Sequence, residues 1–106
     1  MWIRVEAFLL MKTQREKIDE WVSEAFEDTE ILIADGFEDA FIGVAIQFDN
    51  PIPIFDYKKC LEILMNDGMD YAEAEEYLAF NVTGSWVGKG TPAYLFKFDP
   101  KDIADE

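Results

Sequence analysis

The chain contains no histidine and a single cysteine, and both features remove classes of function. Without histidine, the most frequent metal ligand and general base is missing, so we expect no zinc site and no cysteine–histidine catalytic pair. Cys60 has no second cysteine to pair with, and it falls in a helical apolar pattern that predicts a small core residue rather than a nucleophile. We therefore expect no catalytic residue, no metal and no cofactor.

Basic residues are also scarce. Nine lysines and arginines stand against 23 acidic residues, which gives a net charge of −14. Such a surface repels phosphate backbones and anionic headgroups, so direct binding to nucleic acid or to a membrane is disfavoured. It attracts basic surfaces, including those with which other proteins hold DNA. High negative charge also serves solubility alone, and that plainer interpretation stays open.

Long apolar runs are absent as well. The opening stretch from Trp2 to Met11 is apolar, but it contains Arg4 and Glu6 and is too short to span a bilayer. No small-residue cleavage site follows it, so it does not resemble a signal peptide. We expect a cytoplasmic protein.

What is present favours one folded α+β domain over residues 1–106, with a frayed acidic tail at 99–106. Half of the residues are hydrophobic and 15% are aromatic, enough for a chain of 106 residues to build a core. Alternation of apolar residues predicts strands at 2–11, 41–48, 52–55 and 93–98, and apolar stripes predict helices at 13–26, 56–67 and 70–80. Ile31 to Ile33 fit a short strand, and Phe37, Ala40 and Phe41 have the spacing of one helical turn, so the pattern leaves this segment ambiguous. The pattern indicates a small antiparallel sheet of about three to five strands with about three helices packed on one face.

Local signals also predict where elements end and which side chains face the core. Thr13 with Glu16, and Asp70 with Glu73, have the spacing of capping boxes, and Gly68 is placed to stop the middle helix. Asp56 is the candidate N-cap of that helix. Pro53 should confine its strand to an edge or a short pairing, because proline cannot donate to a sheet. In the first hairpin strand Ile42, Val44, Ile46 and Phe48 are predicted to share one face. In the last helix the inward-facing residues are predicted to be Ala74, Tyr77, Leu78 and Phe80.

Three motifs superficially suggest chemistry. Gly84 to Thr91 resembles a phosphate loop, but it has the wrong glycine spacing and Gly90 follows Lys89, so we interpret it as a structural turn. The two helices at 56–80 resemble a DNA reader, but the second helix is acidic and would be repelled by DNA. The connection at 66–70 is too short for a calcium loop, which leaves Asp35, Asp39 and Asp56 as candidate ligands of a carboxylate site.

An ordered series of short motifs resembles a family of small bacteriophage proteins. The series is DGFEDAFIG from Asp35, YKKCLEIL from Tyr57, DGM from Asp67, EAEEY from Glu73 and FNV from Phe80, followed by Gly84, Val87-Gly88 and Thr91-Pro92. It covers about the central half of the chain. The resemblance implies a viral or prophage context and no catalytic residues, and a protein encoded by a phage would be located in the host cytoplasm. The chain departs from the family at Lys89-Gly90, where an acidic residue is usual.

These observations predict a non-enzymatic accessory protein of phage type that binds a host or viral protein with a basic surface. A narrower hypothesis is an inhibitor that mimics DNA charge and blocks a nucleic-acid-binding or defence protein. The predicted partner-binding acidic face comprises Asp70, Glu73, Glu75, Glu76, Glu62 and Asp67, with Trp86 and Lys89 as candidate loop contacts.

Two alternatives stay open. One is a small metal- or ligand-binding domain, or an enzyme, that uses Asp35, Asp39, Asp56 or Trp86 around a pocket. The other is a homo-oligomeric structural module that pairs through an exposed edge strand near Pro53.

Overall fold

The computed structural model describes residues 12–81, 88 and 90–105, and its contacts divide the chain into two compact units, residues 1–30 and 31–106. The described part of the first unit holds helix α1, Gln14–Ala25. The second unit holds strands β1, Phe41–Gln47, and β2, Asn50–Asp56, then helices α2, Tyr57–Asn66, and α3, Tyr71–Asn81, and finally strand β3, Ala93–Leu95. The α+β class is confirmed, whereas the strand predicted at 2–11 lies outside the described residues.

Helix α1 begins with the predicted capping box. The Glu16 N–H donates to the Thr13 hydroxyl and the Thr13 N–H donates to the Glu16 carboxylate, each over 3.1 Å. These two bonds satisfy backbone donors that the first turn leaves unpaired. Along the predicted apolar stripe Ile18 is buried, while Trp21 is 46% exposed and makes an edge-on ring contact with Phe26.

The residues before β1 form a helical turn rather than a strand. Glu38–Ala40 is a 3-10 turn. Its last residue, Ala40, and the residue before it, Phe37, are buried in the core of the second unit. Residues 31–34 have no strand assignment. The helical turn predicted around Phe37 to Phe41 therefore forms, and the short strand predicted for Ile31 to Ile33 does not.

The described strands form one sheet in the order β1-β2-β3, and it is mixed rather than antiparallel throughout. β1 and β2 are an antiparallel hairpin, but β3 pairs parallel with β2. The prediction of a purely antiparallel sheet is wrong for this last strand. A parallel neighbour needs a long crossover, and α2 and α3 provide it between β2 and β3.

For the strand of Pro53 the sequence predicts an edge position or a short pairing, and the short pairing is what forms. β2 is the central strand, not an edge, and Pro53 is fully buried within it. The central strand can contain this proline because of the register, since β3 pairs only with Ile54, Phe55 and Asp56. The proline-containing half of β2 therefore has a single neighbour, so the missing N–H removes no bond to β3.

A bulge in β1 changes which side chains face the core. Phe41 pairs with Phe55 but Gly43 pairs with Ile54, which leaves Ile42 as the extra residue. Three of the four residues predicted to share one face of this strand, Ile42, Ile46 and Phe48, do not face the core, since they are 46%, 59% and 96% exposed. Phe41 takes the core position instead.

The predicted strands at 41–48 and 52–55 place the hairpin turn at 49–51, but the turn lies closer to β1. Its two central residues are Phe48 and Asp49, with φ of +50° and +62°. A two-residue hairpin loop of the favoured twist requires positive φ at both positions, which glycine or asparagine usually supplies. The pairing of Gln47 with Asn50 sets the turn here.

The core of the second unit lies between the sheet and the helix pair. Its buried residues come from the 3-10 turn, β2, α2 and α3, and they are Phe37, Ala40, Phe55, Cys60, Leu61, Leu64, Ala74 and Leu78. Phe55 is at the centre of an aromatic row, edge-on to Phe41 at 5.6 Å and stacked on Tyr94 at 5.9 Å. This row links all three strands on the face that the helices cover.

Candidate functional site

The predicted acidic face is carried by the hairpin of α2 and α3, whose connection has a defined geometry. Gly68 has φ of +110°, its N–H donates to the Met65 carbonyl over 3.1 Å, and the Met69 N–H donates to the Leu64 carbonyl over 3.2 Å. These two bonds form a Schellman motif, which confirms Gly68 as the stop of α2. Asp70 then accepts from the Glu73 N–H over 2.8 Å, so the next helix begins at once.

Two buried apolar side chains orient α3. Ala74 and Leu78, one turn apart, are completely buried, and every other residue from Tyr71 to Phe80 is exposed. The core contact therefore occupies a narrow strip of this helix. The rest of its circumference is accessible to a partner.

The structure exposes all six acidic residues predicted to bind a partner. Glu62 and Asp67 lie on α2 and at its C-terminal end, Asp70 caps α3, and Glu73, Glu75 and Glu76 lie on α3. We call these six residues the acidic set. Among the described residues, Glu62 is the only member of the set that forms an ion pair, 3.6 Å from the Lys59 ammonium. The sequence places no lysine or arginine between Lys59 and Lys89, so the charge of the set has little local compensation.

The acidic set does not form one uniform strip. Glu73 and Glu76 line a shallow depression together with Met69, Tyr77 and Phe80, and we call these five residues the acidic–aromatic face. Glu75 lies on another flank of α3, where its charge reaches Tyr57. Burial first, and the Glu75 charge second, raise the pKa of the Tyr57 hydroxyl. The carboxylates of α3 therefore point to at least two sides of the helix.

The aromatic part of this face was missed by sequence reasoning. Tyr77 and Phe80 were expected to face inward, but they are 38% and 76% exposed. The helical period contains the missing signal: Phe80 is two residues beyond the buried Leu78, about 200° further round the helix. The apolar residues of α3 thus form two groups, one in the core and one at the surface.

The candidate carboxylate site is not assembled. Among residues 12–81, 88 and 90–105, no three His, Cys, Asp or Glu side chains come together in a way that could hold a metal ion. Asp35 and Asp39 are exposed, while Asp56 has a structural role. It caps α2 through the Lys59 N–H and forms an ion pair with Lys97 at 3.1 Å. Burial acts to raise the pKa of Asp56, but the bonds from Lys97 and from Lys59 outweigh it and the net pKa is lowered.

An open cleft of about 650 Å³ lies beside this ion pair. Tyr57 and Phe96 stack face to face in its lining at 4.2 Å, and Phe98 is 78% exposed at its side. Lys58 and Lys97 balance Asp56, Asp99 and Asp102 around the opening, so no charge of one sign dominates. The stacked rings occupy each other's faces, which leaves no slot between them for a planar ligand.

Cys60 occupies the position predicted for a small core residue. It is completely buried, and burial, with the nearby Asp56 charge, raises its pKa to about 11. A neutral, enclosed thiol is a poor nucleophile. Trp86 and Lys89, the candidate loop contacts, lie outside the described residues.

Comparisons with known proteins assign no relative to this arrangement. Searches of protein-family models, of curated proteins and of solved structures give no match to the chain. In the part of the chain that the structure describes, none of the helices has the length and apolar character that crossing a bilayer requires.

Proposed function

We propose that this protein is a non-enzymatic binding protein that engages a partner protein with a basic surface through its acidic set. The observation that carries the proposal is the exposure of all six carboxylates on one helical hairpin with no basic residue between Lys59 and Lys89. In line with the family that the sequence resembles, we place the protein in a phage or prophage context, acting on a host or viral partner.

Charge complementarity is the physical basis of such an interface. A chain of net charge −14 attracts a basic partner over distances beyond direct contact, which raises the association rate. Exposed ion pairs formed on contact are weakened by salt, since the screening length falls to about 3 Å at 1 M. Binding through the acidic set should therefore be strongest at low ionic strength.

A narrower form of the proposal is that the acidic set mimics DNA and blocks the basic groove of a nucleic-acid-binding or defence protein. Its support is the same charge concentration. The two-sided placement of Glu73 and Glu75 on α3 fits a partner that surrounds the helix better than a flat basic surface. Competition between this protein and duplex DNA for the captured partner tests the narrower form directly.

The test of the main proposal is affinity capture from lysates of phage-infected and uninfected bacteria at low and high salt. The wild-type chain is compared with a variant in which Glu73, Glu75 and Glu76 are changed to Gln. A matched control changes Glu24, Glu27 and Glu30 to Gln, which removes the same charge from exposed positions of the first unit.

We expect a partner that high salt releases, that the α3 variant loses and that the control retains. A partner retained equally by both variants would show that the acidic set is not the contact. Absence of any salt-sensitive partner would contradict the proposal as a whole.

A homo-oligomeric module is a second candidate, and one observation favours it. β1 lies at the edge of the described sheet, and its side chains Ile42 and Ile46 are 46% and 59% exposed. This edge, rather than the region of Pro53, is the one that could pair with a copy of the chain. Light scattering coupled to gel filtration separates the candidates: a dimer that Ile46→Lys dissociates supports the module, and a monomeric mass at all concentrations rejects it.

A further inference from the structure

The acidic–aromatic face combines two chemistries that a purely electrostatic contact does not need. Its depression of about 290 Å³ is lined by an apolar group, Met69, Tyr77 and Phe80, and by the carboxylates of Glu73 and Glu76. Phe80 is 76% exposed, although only Ala74 and Leu78 are needed to hold α3 on the core. Clustered exposed apolar side chains with a polar rim are typical of interaction surfaces.

The arrangement along α3 matches the dimensions of a second helix. Glu73, Glu76, Tyr77 and Phe80 follow the spacing of three, four and seven residues that places side chains on one side of a helix. The backbone positions of Tyr77 and Phe80 are about 4.5 Å apart along the axis, close to one helical turn. A helix packed alongside could insert apolar side chains between them at its own three- and four-residue spacing.

Charge complementarity indicates which polar side chains a helix docked on this face should carry. Glu73 and Glu76 border the apolar group, so a side chain that passes over the rings with an apolar stem and ends in a cation satisfies both parts. Lysine and arginine do so, and their charge over the face of a tyrosine or phenylalanine adds a cation–π attraction. A second copy of this chain would bring further negative charge to the same place and is disfavoured.

We propose that the acidic–aromatic face is the docking site for a basic amphipathic helix of the partner protein. This inference rests on the proposed function and makes it specific. The apolar side of the partner helix covers Met69, Tyr77 and Phe80, and its lysines or arginines reach Glu73 and Glu76. Affinity then comes partly from buried apolar surface, so it survives at salt concentrations that abolish a purely ionic contact.

The probe is a fluorescein-labelled peptide of leucine and lysine arranged with a helical apolar stripe, followed by fluorescence polarisation. A second peptide has the same composition in an order without a stripe. Phe80→Ser removes the central ring, and Phe98→Ser is the matched control, since the two phenylalanines are 76% and 78% exposed. Glu76→Gln is paired with Glu75→Gln, which removes a charge from another flank of the same helix.

We expect the peptide with the apolar stripe to bind more tightly than the peptide without it, and to keep measurable affinity at about 0.5 M salt. Phe80→Ser should weaken its binding about tenfold or more, while Phe98→Ser changes it less than about twofold. Glu76→Gln should weaken binding more than Glu75→Gln does.

Two results would overturn the inference, and they differ in what they leave standing. If both peptides bind equally and Phe80→Ser has no effect, the aromatic group is not part of the contact, yet an acidic surface that binds basic partners remains. If neither peptide binds even at low salt, the basic partner of the proposed function fails as well.

Discussion

The placement of α3 on the core is tested most directly by Leu78→Ala. Leu78 is completely buried, so the change removes three carbon atoms from a closed environment. At about 0.8 kcal/mol for each buried methylene, the lost transfer free energy is about 2.4 kcal/mol, and the residual cavity adds about 1 kcal/mol. We therefore expect the free energy of unfolding to fall by about 3–4 kcal/mol.

A matched substitution separates burial from the change of residue type. Leu95→Ala removes the same atoms from β3, where the side chain is 42% exposed, and it should cost about 1 kcal/mol. Urea denaturation of both variants, followed by far-ultraviolet circular dichroism, gives the two free energies from the midpoints and slopes. If Leu78→Ala costs no more than Leu95→Ala, α3 is not anchored by this side chain, and the orientation of the acidic–aromatic face has no basis.

Further predictions concern the helix ends and the buried thiol. Gly68→Ala places a Cβ at φ +110° and should destabilise the second unit by about 1–2 kcal/mol in urea, whereas Gly68→Asn should cost less; equal effects would contradict the left-handed Schellman geometry. Alkylation of Cys60 by iodoacetamide should be at least about 100-fold slower in the native chain than in guanidinium chloride, because the thiol is both buried and neutral. Burial raises the pKa of Cys60 from 9.0 to about 11 and the pKa of Tyr94 from 10.0 to about 12, so the folded chain binds these two protons more tightly than the unfolded chain. The resulting stabilisation is fully present below pH 9 and is lost as the pH rises through the two raised pKa values. Thermal melts across the alkaline range should show the decline, and Cys60→Ser should make it smaller. Thr13→Ala should lower the stability of α1 by about 1 kcal/mol, and helicity unchanged from wild type would show that the cap is unimportant.

The features predicted correctly from the sequence depend on residues close together in the chain. The capping box of Thr13 and Glu16 and the stop at Gly68 each involve one helical turn, so the residues present decide the geometry. The burial of Cys60 and Leu64 follows from an apolar stripe of the same kind.

The features predicted wrongly depend on partners far along the chain. The bulge at Ile42 is defined by the pairing of Phe41 with Phe55, and no property of Ile42 itself signals it. The parallel direction of β3 follows from the crossover through two helices, which an alternating pattern cannot reveal. Position within the sheet likewise makes Pro53 acceptable in a central strand.

Of the candidate site, the exposed carboxylates could be predicted from the sequence and the exposed aromatic side chains could not. Carboxylates are almost never buried without a partner, so the exposure of residues such as Glu73 and Glu76 follows from their charge. An aromatic side chain has no such constraint, because burial and exposure both occur. The surface position of Phe80 depends on which side of α3 packs against the core, and Ala74 and Leu78 determine that side.

The parallel return of β3 also has a consequence for how the second unit assembles. The β1–β2 hairpin and the α2–α3 hairpin each form between neighbouring segments, which is rapid, but β3 joins β2 only across the whole of residues 57–92. Phe55 therefore makes its edge-on contact with Phe41 early and stacks on Tyr94 late. A nascent chain that has not yet emerged past Ala93 would already have its helical hairpin, while one side of β2 would still lack a neighbouring strand. The late step of folding is therefore the addition of β3 to the sheet, after the helix pair has formed.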